Sequence, residues 1–297
     1  MVYAAHFAGA VMACYLTVQV LTRSTWTYQA PRVAIVCWQA LGLALGLSAI
    51  GLPLALGLAP YGTNVSTALG RLVRGDLAPG FGLVHALQVV AALGVAAVLL
   101  GTTVTCGIRA IRVQRRHREL LNLVGRDDPA APGALVLDHP SAAAYCLPGM
   151  RPQVVVSAGT LSLLDRAQLA AVLSHERAHA DERHDLVLLP FTALCRALPW
   201  AGWVEAARER VSLLVEMRAD DKARQLHADG PLAAALLRFA TAPSRVTPAG
   251  ALGIADTELD ARVRRLLTTG RPPRVRGALA LAVTLTLVAL PVSLFLS

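Results

Sequence analysis

Four stretches of this chain, Met1–Thr22, Val33–Ala59, Gly82–Ile108 and Gly277–Leu296, contain no Asp, Glu, Lys or Arg. Wound as helices rising about 1.5 Å per residue, each is long enough to span the ~30 Å apolar layer of a bilayer. A soluble fold would need four buried helices longer than most globular cores contain, so the stretches are read as transmembrane helices. The composition agrees: 55% of residues are hydrophobic and the mean hydropathy is +0.52. No basic residue precedes the first apolar run, and its first arginine, Arg23, lies on the far side, so this helix is expected to be retained rather than cleaved as a signal peptide.

Orientation follows from the arginines. Arg109, Arg112, Arg115, Arg116 and Arg118 follow the third span, and Arg271, Arg274 and Arg276 precede the fourth, so both ends of the intervening segment carry the basic signature of a cytoplasmic face. The expected layout is a membrane domain over residues 1–108 with three transmembrane helices (about 1–22, 33–59 and 82–108), a cytosolic domain over 109–276, and a fourth transmembrane helix over 277–297. Alternation puts the N-terminus and Ser297 outside, the Arg23 to Arg32 loop inside and the Pro60–Phe81 loop outside, with Arg71 and Arg74 as the two residues that run against the rule. A net charge of +9 invites a nucleic-acid reading, but the arginines gather beside membrane spans and around Arg208, Arg210, Arg262, Arg264 and Arg265. Anionic inner-leaflet lipid accounts for the first group, and no nucleic-acid-binding pattern is present, so direct nucleic-acid binding is not expected.

Within the cytosolic segment, His175-Glu176-Arg177-Ala178-His179 is an HExxH. Two imidazoles four residues apart sit one helical turn from each other on one face, where both reach a single zinc ion, while Glu176 is placed to act on its water. The preceding sequence supplies the helix: Asp165 and Gln168 form a capping-box pair, Leu169, Val172 and Leu173 fall at core-facing spacing, and no Gly or Pro intervenes before Pro190. A catalytic zinc of this type needs a third protein ligand, which Glu216 offers from a second helical stretch, about Val204 to Ala228. Asp220, one turn on, is placed to accept the free ring N–H of a zinc-bound histidine. The bland reading of both is a solvated acidic face, as Glu205 and Glu209 illustrate. One zinc ion per chain is expected.

The remaining candidates are weaker. His184, five residues after His179, would be turned about 140° away from the zinc on a continuous helix, paired with Asp181 or Asp185. His227 is read as a solvated helix end, with an oxyanion-stabilising role as the alternative. Cys14, Cys37 and Cys106 lie in apolar spans, Cys146 and Cys195 face a reducing compartment, and no CxxC pair exists, so neither disulfide nor cysteine-bound metal is expected. A fifth apolar stretch, Leu186–Val204, contains Pro190, Arg196 and Pro199; a single crossing there would separate His175 and His179 from Glu216 across the bilayer, so it is read as buried or interfacial, with Trp200 and Trp203 at headgroup level and a re-entrant hairpin as the alternative. Asp127–Gly133 reads as a turn-rich linker, Ala134–Leu137 and Gln153–Ser157 as strands, Gly230-Pro231 and Pro243 to Pro248 as loops, and Ala261–Leu267 as a short helix.

The run from Asp138 through Val154-Val155-Val156-Ser157-Ala158-Gly159-Thr160-Leu161 to the HExxH, then Arg183-His184-Asp185 and Glu216-Met217-Arg218-Ala219-Asp220-Asp221, resembles the BlaR/MecR-type membrane metallopeptidases, related more distantly to the Ste24/HtpX gluzincins. The resemblance implies an α-helical membrane protein with four transmembrane helices and an α+β zincin-like cytosolic peptidase domain. It implies zinc bound by His175, His179 and Glu216, Glu176 as general base, and a sheet edge that receives substrate in extended form. The implied substrate is a cytosolic BlaI/MecI-like transcriptional repressor, cleaved in signal transduction from the inner or plasma membrane. The classical receptors carry a penicillin-binding sensor domain after the last membrane helix, and this chain is expected to lack it. Two other readings stand beside this one: a quality-control or processing peptidase of the HtpX/Ste24 kind, and a non-catalytic signalling scaffold whose zinc only holds the fold.

Overall fold

The computed structural model describes residues 2–149, 151–242, 252–268 and 274–296. In chain order the helices are α1 (Val2–Arg23), α2 (Trp26–Gln29), α3 (Pro31–Gly57), α4 (Val65–Val73) and α5 (Leu83–Val124). Then come β1 (Gly125–Asp127), β2 (Ala134–Leu137), β3 (Ala144–Leu147) and β4 (Gln153–Ser157). They are followed by α6 (Ala158–Leu163), α7 (Arg166–Asp181), α8 (His184–Ala197), α9 (Gly202–Arg224), α10 (Asp229–Thr241), α11 (Leu252–Leu267) and α12 (Arg274–Leu296). The chain forms two compact units: Met1–Cys106, Leu189–Val211 and Pro273–Ser297 make the first, Gly107–Leu188 and Ser212–Pro272 the second.

Four helices among the described residues, Val2–Arg23, Pro31–Gly57, Leu83–Val124 and Val275–Leu296, are long and apolar enough to cross a membrane. The third runs on well past the expected Ile108, as one helix that carries Arg109, Arg112, Arg115 and Arg116 on exposed surface before ending at Val124. In the first unit α1 and α12 both pack on α3, with the rings of Phe7 and Phe295 5.3 Å apart. Small residues set how closely these helices approach: a Cβ on Gly57 of α3 would lie 2.8 Å from the His85 carbonyl oxygen and 2.7 Å from Val89 Cγ2 of α5. The fifth apolar stretch is not one long helix. Pro190 lies inside α8, the chain turns at Leu198–Ala201, and α9 begins after it at Gly202. Pro190, Phe191, Ala193 and Leu194 line an apolar cavity of about 610 Å³ with residues of α3, α5 and α12. Trp203 meets Tyr15 of α1 edge-on at 6.4 Å, and the Arg210 guanidinium lies 5.6 Å from the centre of the Tyr28 ring. Trp200, at the turn, is exposed.

The second unit holds a four-stranded sheet in the order β1-β2-β4-β3, with β2 and β4 parallel and the two outer pairs antiparallel. The two expected strands have the expected ends. The supposed linker begins inside β1, where Asp127 pairs with Leu135, and β3 had no β-branched run to announce it. β2 and the valine-rich β4 bury Val136, Val154 and Val156 against Leu169, Val172 and Leu173 of α7, with Leu232 of α10 and Leu266 of α11 closing the same core. Each such side chain contributes about 1.5–3 kcal/mol on burial. Gly230-Pro231 is no loop: it forms the first turn of α10, where proline's missing N–H has no partner to lose. α11 runs from Leu252 rather than from Ala261, and Pro243 to Pro248 and Arg271 lie outside the described residues.

Candidate metal centre

α7 carries the site because its N-terminus is fixed and its inner face is apolar. Asp165 Oδ1 accepts from the Gln168 backbone N–H at 2.9 Å, and Gln168 Oε1 accepts from the Asp165 N–H at 3.2 Å, which completes the capping box. The face that buries Leu169, Val172 and Leu173 continues into His175, itself buried, while His179 is half-buried a turn later. α9 brings Glu216 to meet them. His175 Nε2 and His179 Nε2 are 3.2 Å apart, and the Glu216 carboxylate oxygens lie 3.4 Å from the first and 3.5 Å from the second.

Those spacings fit a metal. Ligand atoms about 2.0–2.1 Å from a tetrahedral zinc stand about 3.3 Å from each other, and imidazole nitrogen with carboxylate oxygen is a zinc donor set. His175, His179 and Glu216 form the one such cluster of three His, Cys, Asp or Glu ligand atoms found among the described residues. Cys146, although it lines the adjoining cleft, is no part of it.

Behind the ligands sits a buried charge network. Asp220 is fully buried, with Oδ1 2.9 Å from His175 Nδ1, a close contact off the line of a straight hydrogen bond. Arg262 of α11 donates to both Asp220 oxygens, at 2.8 and 2.9 Å, and pairs with Glu216 at 2.9 Å. Arg265 donates to Asp221 at 2.6 Å and to the Met217 carbonyl at 3.2 Å. Burial raises the carboxyl pKa of Glu216 and Asp220, but His175 and Arg262 outweigh it and hold both well below the usual range. Burial likewise disfavours a charged His175, yet Asp220 and Glu216 win and lift its pKa to about 9. At His179 burial dominates, leaving it near 4. Arg262 and Arg265, which the sequence grouped among the arginines away from the membrane spans, both spend their charge on acidic residues of α9, and only the tertiary fold shows which helix they meet.

Glu176 points into a cleft of about 380 Å³ lined by Ala144, Tyr145 and Cys146 of β3 with His179, His184 and Glu216. Burial raises its carboxyl pKa, offset in part by the charge of His175 and by a hydrogen bond from the Cys146 backbone N–H. α5 holds that strand: the rings of His117 and Tyr145 join through a 2.8 Å hydrogen bond between His117 Nε2 and the Tyr145 hydroxyl, and Arg118 donates to the Pro148 carbonyl.

Two histidine assignments are overturned. His184 does not face away. α7 stops at Asp181, Arg183 takes a left-handed backbone (φ 50°), and the reversal returns His184 to the site, its Nδ1 3.0 Å from His179 Nδ1. Its carboxylate neighbour is Glu182, at 3.6 Å, instead of Asp181 or Asp185. The 140° turn holds only on a continuous helix, and α7 ends at Asp181, before His184 is reached. His227 is neither a solvated end nor an oxyanion donor in the cleft: its Nε2 lies 2.8 Å from the hydroxyl of Ser174 on α7.

Residues 108–252 match the model of Peptidase family M48, a likeness that points to a metallopeptidase. No solved structure matches the chain.

Proposed function

We propose that the M48-type domain makes this chain a membrane-embedded zinc endopeptidase, with His175, His179 and Glu216 as ligands, Glu176 as general base and Asp220 orienting His175. The observation that carries the reading is the convergence of two imidazole nitrogens and a carboxylate at 3.2–3.5 Å beside a glutamate that opens on a cleft. Zinc, when bound there, acidifies a water and polarises a scissile carbonyl. Glu176, whose pKa is raised by burial, takes the proton from the attacking water as its oxygen bonds to the carbonyl carbon. The same carboxyl returns that proton to the leaving nitrogen as the C–N bond breaks. β3, at one edge of the sheet and on the wall of the cleft, supplies main-chain groups to which an extended peptide can pair.

In this reading four helices cross the membrane, the catalytic unit is cytoplasmic and both termini are outside, on the strength of the exposed arginines at 109–116. The substrate is a protein: a BlaI/MecI-like repressor by the resemblance of the motif run, or a membrane or misfolded protein if the chain works as a processing peptidase. The purely structural zinc site is disfavoured, because such a site has no use for a carboxylate facing an open cleft. Glu176→Gln should keep zinc and fold while losing at least 10²-fold in cleavage rate. Used as a trap in cells, this variant should retain the uncut substrate, and its identity chooses between repressor and membrane protein. Wild-type turnover by purified Glu176→Gln would overturn the catalytic reading.

A further inference from the structure

Each histidine of the site has its Nδ1 turned toward a buried partner, and the two partners differ in kind. His175 has Asp220, an anion held by Arg262. His179 has His184, 4% exposed, with the two rings perpendicular and 4.8 Å apart and their Nδ1 atoms 3.0 Å from each other. The far nitrogen of His184, Nε2, is buried without a hydrogen bond and faces Glu182 Oε2 at 3.6 Å. Glu182 is in turn fixed by Arg218, which donates to both its oxygens at 2.6 and 2.8 Å, and by Lys222 at 3.4 Å.

We propose that His184 is the positioning residue of His179: it accepts the Nδ1 proton of that ring, sets its tautomer and aims its Nε2 at the metal. The proposal rests on the zinc-site reading above. The proton count supports it. A neutral imidazole that gives Nε2 to a metal keeps its proton on Nδ1, so His179 can donate to His184 only if His184 offers a bare Nδ1. His184 must then carry its own proton on Nε2, the nitrogen that faces Glu182. One orientation of protons satisfies the whole chain from His179 through His184 to Glu182 and Arg218, and it is the orientation that metal binding at His179 Nε2 requires. The backbone is arranged for this contact: Arg183, the one non-glycine residue with positive φ among those described, is the hinge that turns His184 back. Glu182, at the helix end, is anchored to α9, the helix that also carries Glu216.

The test is zinc affinity of the purified full-length protein, measured by competition with a chromogenic chelator, with helical content and melting followed in parallel. His184→Ala should bind zinc 10–100-fold more weakly, the usual effect of losing an orienting partner. His184→Gln, whose side-chain carbonyl can accept the same proton, should recover most of that loss, and His184→Leu, which fills the space without accepting, should not. Glu182→Gln should weaken binding less than His184→Ala. Cobalt-substituted His184→Leu should show altered ligand-field bands. Wild-type zinc affinity in folded His184→Leu would overturn the proposal, as would equal recovery by Gln and Leu, which would mark a space-filling role. His175→Ala separates the two failures: if it too keeps full zinc affinity, it is the metal site itself that is wrongly placed.

Discussion

His175 and His179 are the same side chain four residues apart, yet their surroundings push them in opposite directions. Burial works against charge on both, but only His175 has Asp220 and Glu216 close enough to reverse it, so its pKa rises to about 9 while that of His179 falls to about 4. At pH 7 the metal-free site therefore holds a proton on His175 that zinc must displace. The sign follows: a raised pKa means tighter proton binding, so zinc affinity is suppressed at low pH and climbs about tenfold per pH unit until the pH passes about 9. Calorimetry in buffers of different ionisation enthalpy counts the protons released. At pH 7 wild type should release up to about one more proton per zinc than Asp220→Asn, in which the raising partner is gone. Equal release from the two proteins would break the link between Asp220 and His175.

At the scale of elements, α9 is held between α7 and α11 by two cations: Arg262 of α11 pairs with both Glu216 and Asp220, and His175 of α7 lies against the same two carboxylates. Arg262→Ala leaves the buried Asp220 with only His175 beside it, at a cost of up to about 3–5 kcal/mol, and should lower the denaturation midpoint. Arg262→Met together with Asp220→Asn should restore much of it, since the uncompensated charge is removed with its partner. A single variant as stable as wild type would show that the network does not hold these helices together. What could be read from the residues divides along the same line. α7 was legible to its cap, because a capping box and an i, i+3, i+4 apolar face are local signals. β4 was legible through its valines and β2 through a short apolar run after the turn residues before it. β3 was not, since Ala144-Tyr145-Cys146-Leu147 has no β-branched run and is made a strand by pairing with β4. The end of α7 was missed because neither Gly nor Pro marks it: the stop is an arginine in a left-handed conformation, stabilised by contacts Glu182 makes 36 residues downstream. The two histidines were nameable from their spacing, and Glu216 and Asp220 were candidates on a second helical stretch that the fold brings beside them, whereas Arg262 and His184 needed the fold to reveal whom they touch.

For the whole molecule, the arginine bias and the demand that all ligands share one compartment give a topology that labelling can check. In a background without native cysteines, Arg166→Cys and Glu209→Cys should both resist a membrane-impermeant thiol reagent in intact cells, a reporter inserted between Asp127 and Gly133 should read as cytoplasmic, and one fused after Ser297 as extracytoplasmic. Labelling at one of the two cysteines alone would mean that Leu186–Val204 crosses the bilayer. The way the two units interleave along the chain has an outcome for biogenesis. The ribosome delivers His175 and His179 first, then the Leu189–Val211 piece that belongs with the apolar helices, and only afterwards Glu216. On the proposed ligand set, a nascent chain carries two of the three metal-binding side chains until synthesis has passed the intervening piece and reached Glu216, so a metal centre built from His175, His179 and Glu216 cannot be completed before that apolar piece has been made.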